Sequence, residues 1–211
     1  MTQKATRGII RRTYKRTGRS KAASKAGTTT KATKREKESE VLITRIFDAP
    51  RERVWKAWTE PEEVRKWWAP KGFSAPHMFR IDFRVGGKFV YCMRGAGLDG
   101  AVKDFWNTGH YLEIVPMEKI VTTLSFADEH GNPVPASHYG VPGEWPAEIM
   151  MMVTFEDIEG VKTKVTVREV GIPGVMTEFA RLGWEQQFDK LAESVKQTAK
   201  EKSSLRGTRT L

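Results

Sequence analysis

Between Asp48 and Phe73 the chain reads DAPRERVWKAWTEPEEVRKWWAPKGF, and four of its seven tryptophans fall within the 14 residues from Trp55 to Trp68. A buried indole removes about 150–250 Å² from water, so four of them need a large apolar partner that two short helices cannot supply. Val54, Trp55 and Trp58 recur at the spacing of one helix face, with Pro50 in the first turn, where a missing N–H costs nothing. Thr59 and Glu62 match a capping box for a second helix, with Pro61 in its opening turn. Val64, Trp67 and Trp68 follow at i, i+3 and i+4, and Pro70 and Gly72 end the helix.

What flanks this stretch supplies the partner. Before it, VLITRIFDA alternates and is rich in β-branched residues, which predicts a strand. After it come six strand-like runs, Met78–Val85, Lys88–Arg94, Thr108–Val115, Lys119–Phe126, Glu148–Glu156 and Val161–Val170. The links between them are short and carry turn residues, among them Gly86-Gly87, GAGLDG, Pro116 and Glu159-Gly160, so the runs read as an antiparallel meander. The exception is residues 127–147, too long for a plain hairpin loop, which reads as a lid or binding loop or else as a surface insertion packed by Tyr139 and Trp145. From Pro173-Gly174 to about Lys200 the pattern is helical. Trp184, Phe188, Leu191 and Val195 form one stripe, while Val175, Phe179 and Leu182 lie nearly opposite, so the two halves of the helix are covered differently. Gly183 stands at the changeover, where a close approach or a kink would account for a helix-weakening residue.

The net charge of +10 is not spread along the chain. Residues 1–40 hold 13 Lys/Arg against 3 Asp/Glu, and residues 196–211 hold 5 against 1, so residues 41–195 carry a balance of −4. The first 40 residues are too poor in large apolar side chains to offset the entropy of ordering, which predicts a disordered basic tail. Such a tail suits weak nonspecific contact with nucleic acid, an organelle transit peptide, or simple solubilisation. The single cysteine, Cys92, excludes an internal disulfide and a cysteine-based zinc site. No apolar run is long enough to span a membrane, and no secretory signal opens the chain, which points to the cytoplasm. The domain reading is a tail over 1–40, a folded domain over 41–200 and a second basic tail over 201–211.

The order of these elements is α+β, a curved antiparallel sheet wrapped around a long C-terminal helix. From about Val41 to Val195 the chain resembles the START-like, helix-grip superfamily known as SRPBCC. Within it, the chain is similar to bacterial proteins homologous to the activator of heat-shock protein 90 ATPase. The residues that carry the resemblance are FDAPRERVWKAWTEPEEVRKWW, RIDFRVGGKF, GHYLEIVPMEKIV, VTFED and GWEQQFDKL, in that order. The resemblance implies a fold of the START and Bet v 1 type, with six or seven strands and two short helices after the first strand. It also implies an internal apolar cavity with its mouth near those helices, a hydrophobic small molecule or lipid as ligand, and a chaperone as a second kind of partner. Some relatives are enzymes, and fold membership does not choose among these roles.

Within that frame Trp67 and Trp68 are expected at the cavity's rim or lid, and Trp55 and Trp58 in ordinary packing. Strand parity turns Phe89, Tyr91 and Met93 inward together, as it does Met151, Val153 and Phe155, and also Val165 and Val167. Counted from Ile114, the same parity turns Leu112 and His110 inward. The long helix contributes Phe179, Gly183 and Trp184. Asp82 and Arg84 share the other face of their strand and read as a solvated ion pair. A histidine inside the cavity would orient a ligand or act as an acid–base group with Tyr91, although most such histidines are inert. No catalytic motif, phosphate loop or metal spacing occurs, so neither catalysis nor a cofactor is assigned. The leading expectation is a nonenzymatic binding module for an apolar ligand; an enzyme using the same cavity and a chaperone-interacting protein are the alternatives.

Overall fold

A computed structural model of the chain describes residues 39–75 and 80–207. The predicted basic tail lies outside the described residues except for Ser39 and Glu40, which already pair in the first strand. Strand β1 (Ser39–Phe47) leads into helices α1 (Arg51–Thr59) and α2 (Pro61–Val64). A meander follows: β2 (Arg80–Ile81), β3 (Lys88–Ala96), β4 (Val102–Val115), β5 (Lys119–Ala127), β6 (Ile149–Ile158) and β7 (Lys162–Ile172). Helix α3 (Thr177–Gly207) closes the fold and continues through the first seven residues of the expected second tail. The seven strands form one antiparallel sheet in the order β1-β7-β6-β5-β4-β3-β2, with the first and last strands paired across the meander's ends. The α+β helix-grip architecture is therefore the one expected from the order of elements. Among the described residues, no helix is long and apolar enough to cross a membrane.

The tryptophan-rich hairpin is the densest part of the core. Trp67 is wholly buried and its indole N–H donates to the Ala57 carbonyl at 2.7 Å, tying α2 to α1. Its ring lies 4.6 Å from Trp58 and 5.6 Å from Trp68, and Trp184 of α3 joins them at 6.0 Å from Trp58 and 5.9 Å from Trp68. Trp55 packs against Phe155 of β6 at 5.1 Å. Two ionic ties hold this unit in place. Arg53 pairs with Glu63 across the hairpin at 2.9 Å, and the Lys190 ammonium of α3 donates to the Ala69, Pro70 and Phe73 carbonyls.

Several local expectations change. Thr59 does not cap α2; it ends α1, and its hydroxyl donates back to the Trp55 carbonyl at 3.0 Å, while Glu60 stands at the cap position with no side-chain hydrogen bond. A hydroxyl already facing its own helix's i−4 carbonyl is not free to serve the next helix. Of the strand expected over Met78–Val85, residues 78 and 79 lie outside the described residues and Arg80–Ile81 is a strand, while Asp82–Gly87 forms a tight turn with the Asp82–Arg84 pair on its exposed side at 2.9 Å. Conversely, β4 starts six residues earlier than expected, at Val102, since the GAGLDG turn is a short hairpin connection.

Strand β4 also contains the device that reverses its parity. Tyr111 pairs with Thr122 but Glu113 with Val121, so Leu112 is an extra, bulged residue. Upstream of the bulge Phe105, Asn107, Gly109 and Tyr111 take the inner face, and His110 and Leu112 are exposed on the outer one. Gly109 is required there: a Cβ would stand 2.0 Å from the Thr123 carbonyl oxygen and 2.5 Å from the Phe89 ring.

Replacing Trp67 by Phe deletes the bond to Ala57, leaves a buried carbonyl without its donor and opens a cavity beside Trp58. The expected loss is about 2–3 kcal/mol, read as a lower urea midpoint with an unchanged slope.

Candidate functional site: an apolar cavity with a buried carboxyl

The hairpin fills only one part of the space between sheet and α3. Behind Trp68, the side chains of Trp67, Phe89, Tyr91, Met151 and Val153 enclose a void of about 20 Å³, little more than one water. Tyr91 meets Tyr111 there, hydroxyl to hydroxyl at 3.4 Å, and burial pushes both phenols above their ordinary range. On the other side of Trp68 lies a cavity of about 910 Å³.

Its walls come from four parts of the chain. The segment after α2 gives Trp68, Pro70 and Phe73; the inner face of β3 to β5 gives Met93, Phe105, Asn107 and Leu124. The long loop before β6 supplies a third wall, from Pro133 to Ala147. Tyr139 fixes that wall, donating its hydroxyl to the Ala127 carbonyl at 2.6 Å and accepting from the Trp106 N–H at 3.1 Å. Trp145 rests edge-on against Phe126 at 5.1 Å. The loop is thus both packed by Tyr139 and Trp145 and part of the site. The fourth wall is the first half of α3, with Phe179, Gly183, Trp184 and Gln187. Leu98 and Phe179 line the cavity yet are 65% and 57% exposed, which places them at its mouth.

Gly183 has no close neighbour to accommodate: a Cβ there would meet nothing within 4 Å. The small residue leaves cavity space. Val175, Phe179 and Leu182, the second apolar face of the helix, are exposed beside it.

One side chain breaks the apolar pattern. Glu169 of β7 is 4% exposed, lines the cavity, and receives a hydrogen bond from the Trp184 indole N–H. Its register partners are Val41 of β1 and Met151 of β6. Burial without a compensating cation pushes its carboxyl up to about 7 from an ordinary 4.5. Two further polar atoms on this lining lack partners, the buried Oε1 of Gln187 and the buried indole N–H of Trp68.

Of the residues singled out by sequence, Trp68, Phe179, Gly183 and Trp184 line the large cavity. Trp67, Phe89, Tyr91, Met151 and Val153 face the filled part of the interior, and Trp67, wholly buried, is neither rim nor lid. His110 and Leu112 are corrected to the outer face by the Leu112 bulge, so His110 cannot work beside Tyr91 as an acid–base pair. Glu169 and Gln187 were missed although both carried a signal. The parity that turns Val165 and Val167 inward reaches Glu169 two residues on, and Gln187 lies one turn after Trp184. Among the described residues no group of three or more His, Cys, Asp or Glu side chains could hold a metal ion. Cys92 is buried, and its thiol is pushed up to about 12, chiefly by burial.

The Glu169 carboxyl makes stability fall with pH. The unfolded chain releases this proton near pH 4.5 and the folded chain near 7, so the folded state is favoured below 4.5 and loses that advantage as pH rises through 7. The gap is worth about 3 kcal/mol. Glu169→Gln is therefore expected to raise the melting temperature at pH 8 and to change it little at pH 4, read by thermal unfolding at the two pH values.

Comparison with known proteins agrees with the architecture. A crystal structure of a protein from Chromobacterium violaceum shares 26% identity, covers 74% of this chain and 96% of its own, and superposes with a TM-score of 0.57. A solution structure of a protein from Arthrobacter aurescens gives 26%, 75%, 86% and 0.58. A crystal structure of a protein from Silicibacter pomeroyi gives 17%, 76%, 99% and 0.59, a likeness of fold alone. No functionally curated protein matches the sequence significantly. The family model described as activator of Hsp90 ATPase homolog 1-like protein matches residues 48–196, which take in the hairpin, the meander and α3 as far as Lys196. The chain belongs to that family.

Proposed function

We propose that this protein binds an apolar small molecule or lipid in the cavity between the sheet, the 133–147 loop and the first half of α3. The observation that carries the reading is the cavity of about 910 Å³ with predominantly apolar and aromatic walls and a few convergent polar groups. Ligand sites commonly span about 300–1,000 Å³ and combine such walls with a small number of orienting polar atoms. Apolar side chains at the mouth, Leu98 and Phe179, give an apolar ligand a continuous path inward. Gly183 supports the same reading. A glycine within a helix costs about 1 kcal/mol relative to alanine, and here the space it leaves belongs to the cavity.

Titration with the neutral apolar dye Nile red tests the proposal, because Trp68 and Trp184 on the walls report on occupancy. Saturable binding is expected in the wild type. Gly183→Leu, which projects a side chain into the cavity, is expected to weaken binding at least about tenfold with a melting temperature no lower than wild type. Equal dye affinity in the two proteins would place the binding elsewhere, and no saturable binding would remove the proposal.

A further inference from the structure

The polar groups of the cavity are not neutral in what they ask of a ligand. Among the described residues, the cavity lining contains two carboxyls, Glu169 deep inside and Glu144 on the exposed loop, and no Lys, Arg or His. Beside Glu169, β1 presents Val41, β6 presents Met151 and α3 presents Trp184 and Gln187, so no packed element offers it a cation. The Trp184 N–H meets part of the carboxyl's accepting capacity, and a carboxylate has about four lone-pair positions. Gln187, 9% exposed, adds a second buried acceptor with no donor. Both acceptors belong to residues of the same cavity lining, and what they lack is a group with several N–H donors and a positive charge.

Resting on the reading of this cavity as a ligand site, we propose that its ligand is a hydrophobic amine, whose ammonium group pairs with the Glu169 carboxylate and donates to Gln187 Oε1 while its apolar body lies along the aromatic walls. An ammonium carries three donors and no acceptor, which matches this pair of groups. Charge-assisted hydrogen bonds of this kind are about twice as strong as neutral ones. Trp68 and Trp184, packed edge to face with ring centroids 5.9 Å apart, both line the cavity, and indole faces attract a cation further. A fatty acid fits badly for the same reason, since its carboxylate would enter a site with two carboxyls and no base. A neutral alcohol would satisfy one acceptor and leave the charge uncompensated. Pairing with the amine draws Glu169 into its ionised form, so the preference for amine is strongest above pH 7 and shrinks toward pH 5.

The test uses three probes with the same chain, dodecylamine, dodecanol and dodecanoate, each below its micellar concentration, titrated calorimetrically into the full chain at pH 8. Dodecylamine is expected to bind at least about tenfold more tightly than either of the others. Glu169→Gln is expected to remove the amine's advantage, bringing its affinity to within about twofold of the alcohol's in the same variant. Gln187→Leu, a second variant away from the strand, is expected to weaken the amine selectively. Alcohol or acid binding as tightly as the amine overturns the amine assignment and leaves the cavity reading standing. An amine preference that survives in Glu169→Gln also overturns it. Failure of all three probes to bind overturns both.

Discussion

Packing of the indoles of Trp58, Trp67, Trp68 and Trp184 against one another determines how the interior is divided. Each buried indole contributes on the order of 4–6 kcal/mol by area. That is comparable to the whole net stability of a domain, about 5–15 kcal/mol. The cluster cannot be satisfied within the hairpin, because Trp184 comes from α3 and Trp55 reaches Phe155 on β6. Hairpin, sheet and long helix are therefore fixed together at one place. Where the indoles stop, at Trp68, the filled core stops too, and the same ring that completes the packing becomes a wall of the cavity.

The remaining walls follow from where apolar surface is left over. A seven-stranded antiparallel sheet curving around a single helix has more inner surface than one helix stripe can cover. The stripe of Trp184, Phe188, Leu191 and Val195 is fully used, all four being buried. The first half of α3 carries its apolar side chains elsewhere, with Phe179 and Leu182 exposed, as is Val175 in the turn before it. The 133–147 loop covers the inner sheet at that end instead, anchored through Tyr139 and Trp145. A loop anchored by two aromatic contacts forms a wall of the cavity at that end rather than a plug filling it.

Much of this was legible in the sequence because it depends on periodicity. The helix pair, the alternation of Phe89 with Tyr91 and of Met151 with Val153, and the two-faced final helix all follow from side-chain spacing, and the family resemblance gave the way they assemble. What escaped was set by single events that periodicity does not encode. One inserted residue, Leu112, inverts everything upstream of it in β4, which moved His110 outward and brought Phe105 and Asn107 in. Thr59 satisfied a capping pattern and yet bonds its own helix. Gly183 reads from sequence as a close approach or a kink, and only the third dimension shows that a Cβ there would meet nothing within 4 Å. Glu169 escaped for another reason: an acidic residue on an inward strand face contradicts the expectation that charges face water.

That contradiction is the most informative feature of the interior. Val41 and Met151 flank Glu169, and nothing in the pairing of β1, β7 and β6 requires a carboxyl between them. An apolar residue of similar size would fit the strand register and avoid a penalty of about 3 kcal/mol at neutral pH. A carboxyl kept for structure would be paired, as Glu63 is with Arg53 and Lys66. Glu169 has one indole N–H and opens into a predominantly apolar cavity of about 910 Å³ whose lining also holds the unpartnered Gln187 amide oxygen. A group so placed gains its compensation from what enters the cavity. For the proposed ligand, charge more than shape is therefore what this lining would select.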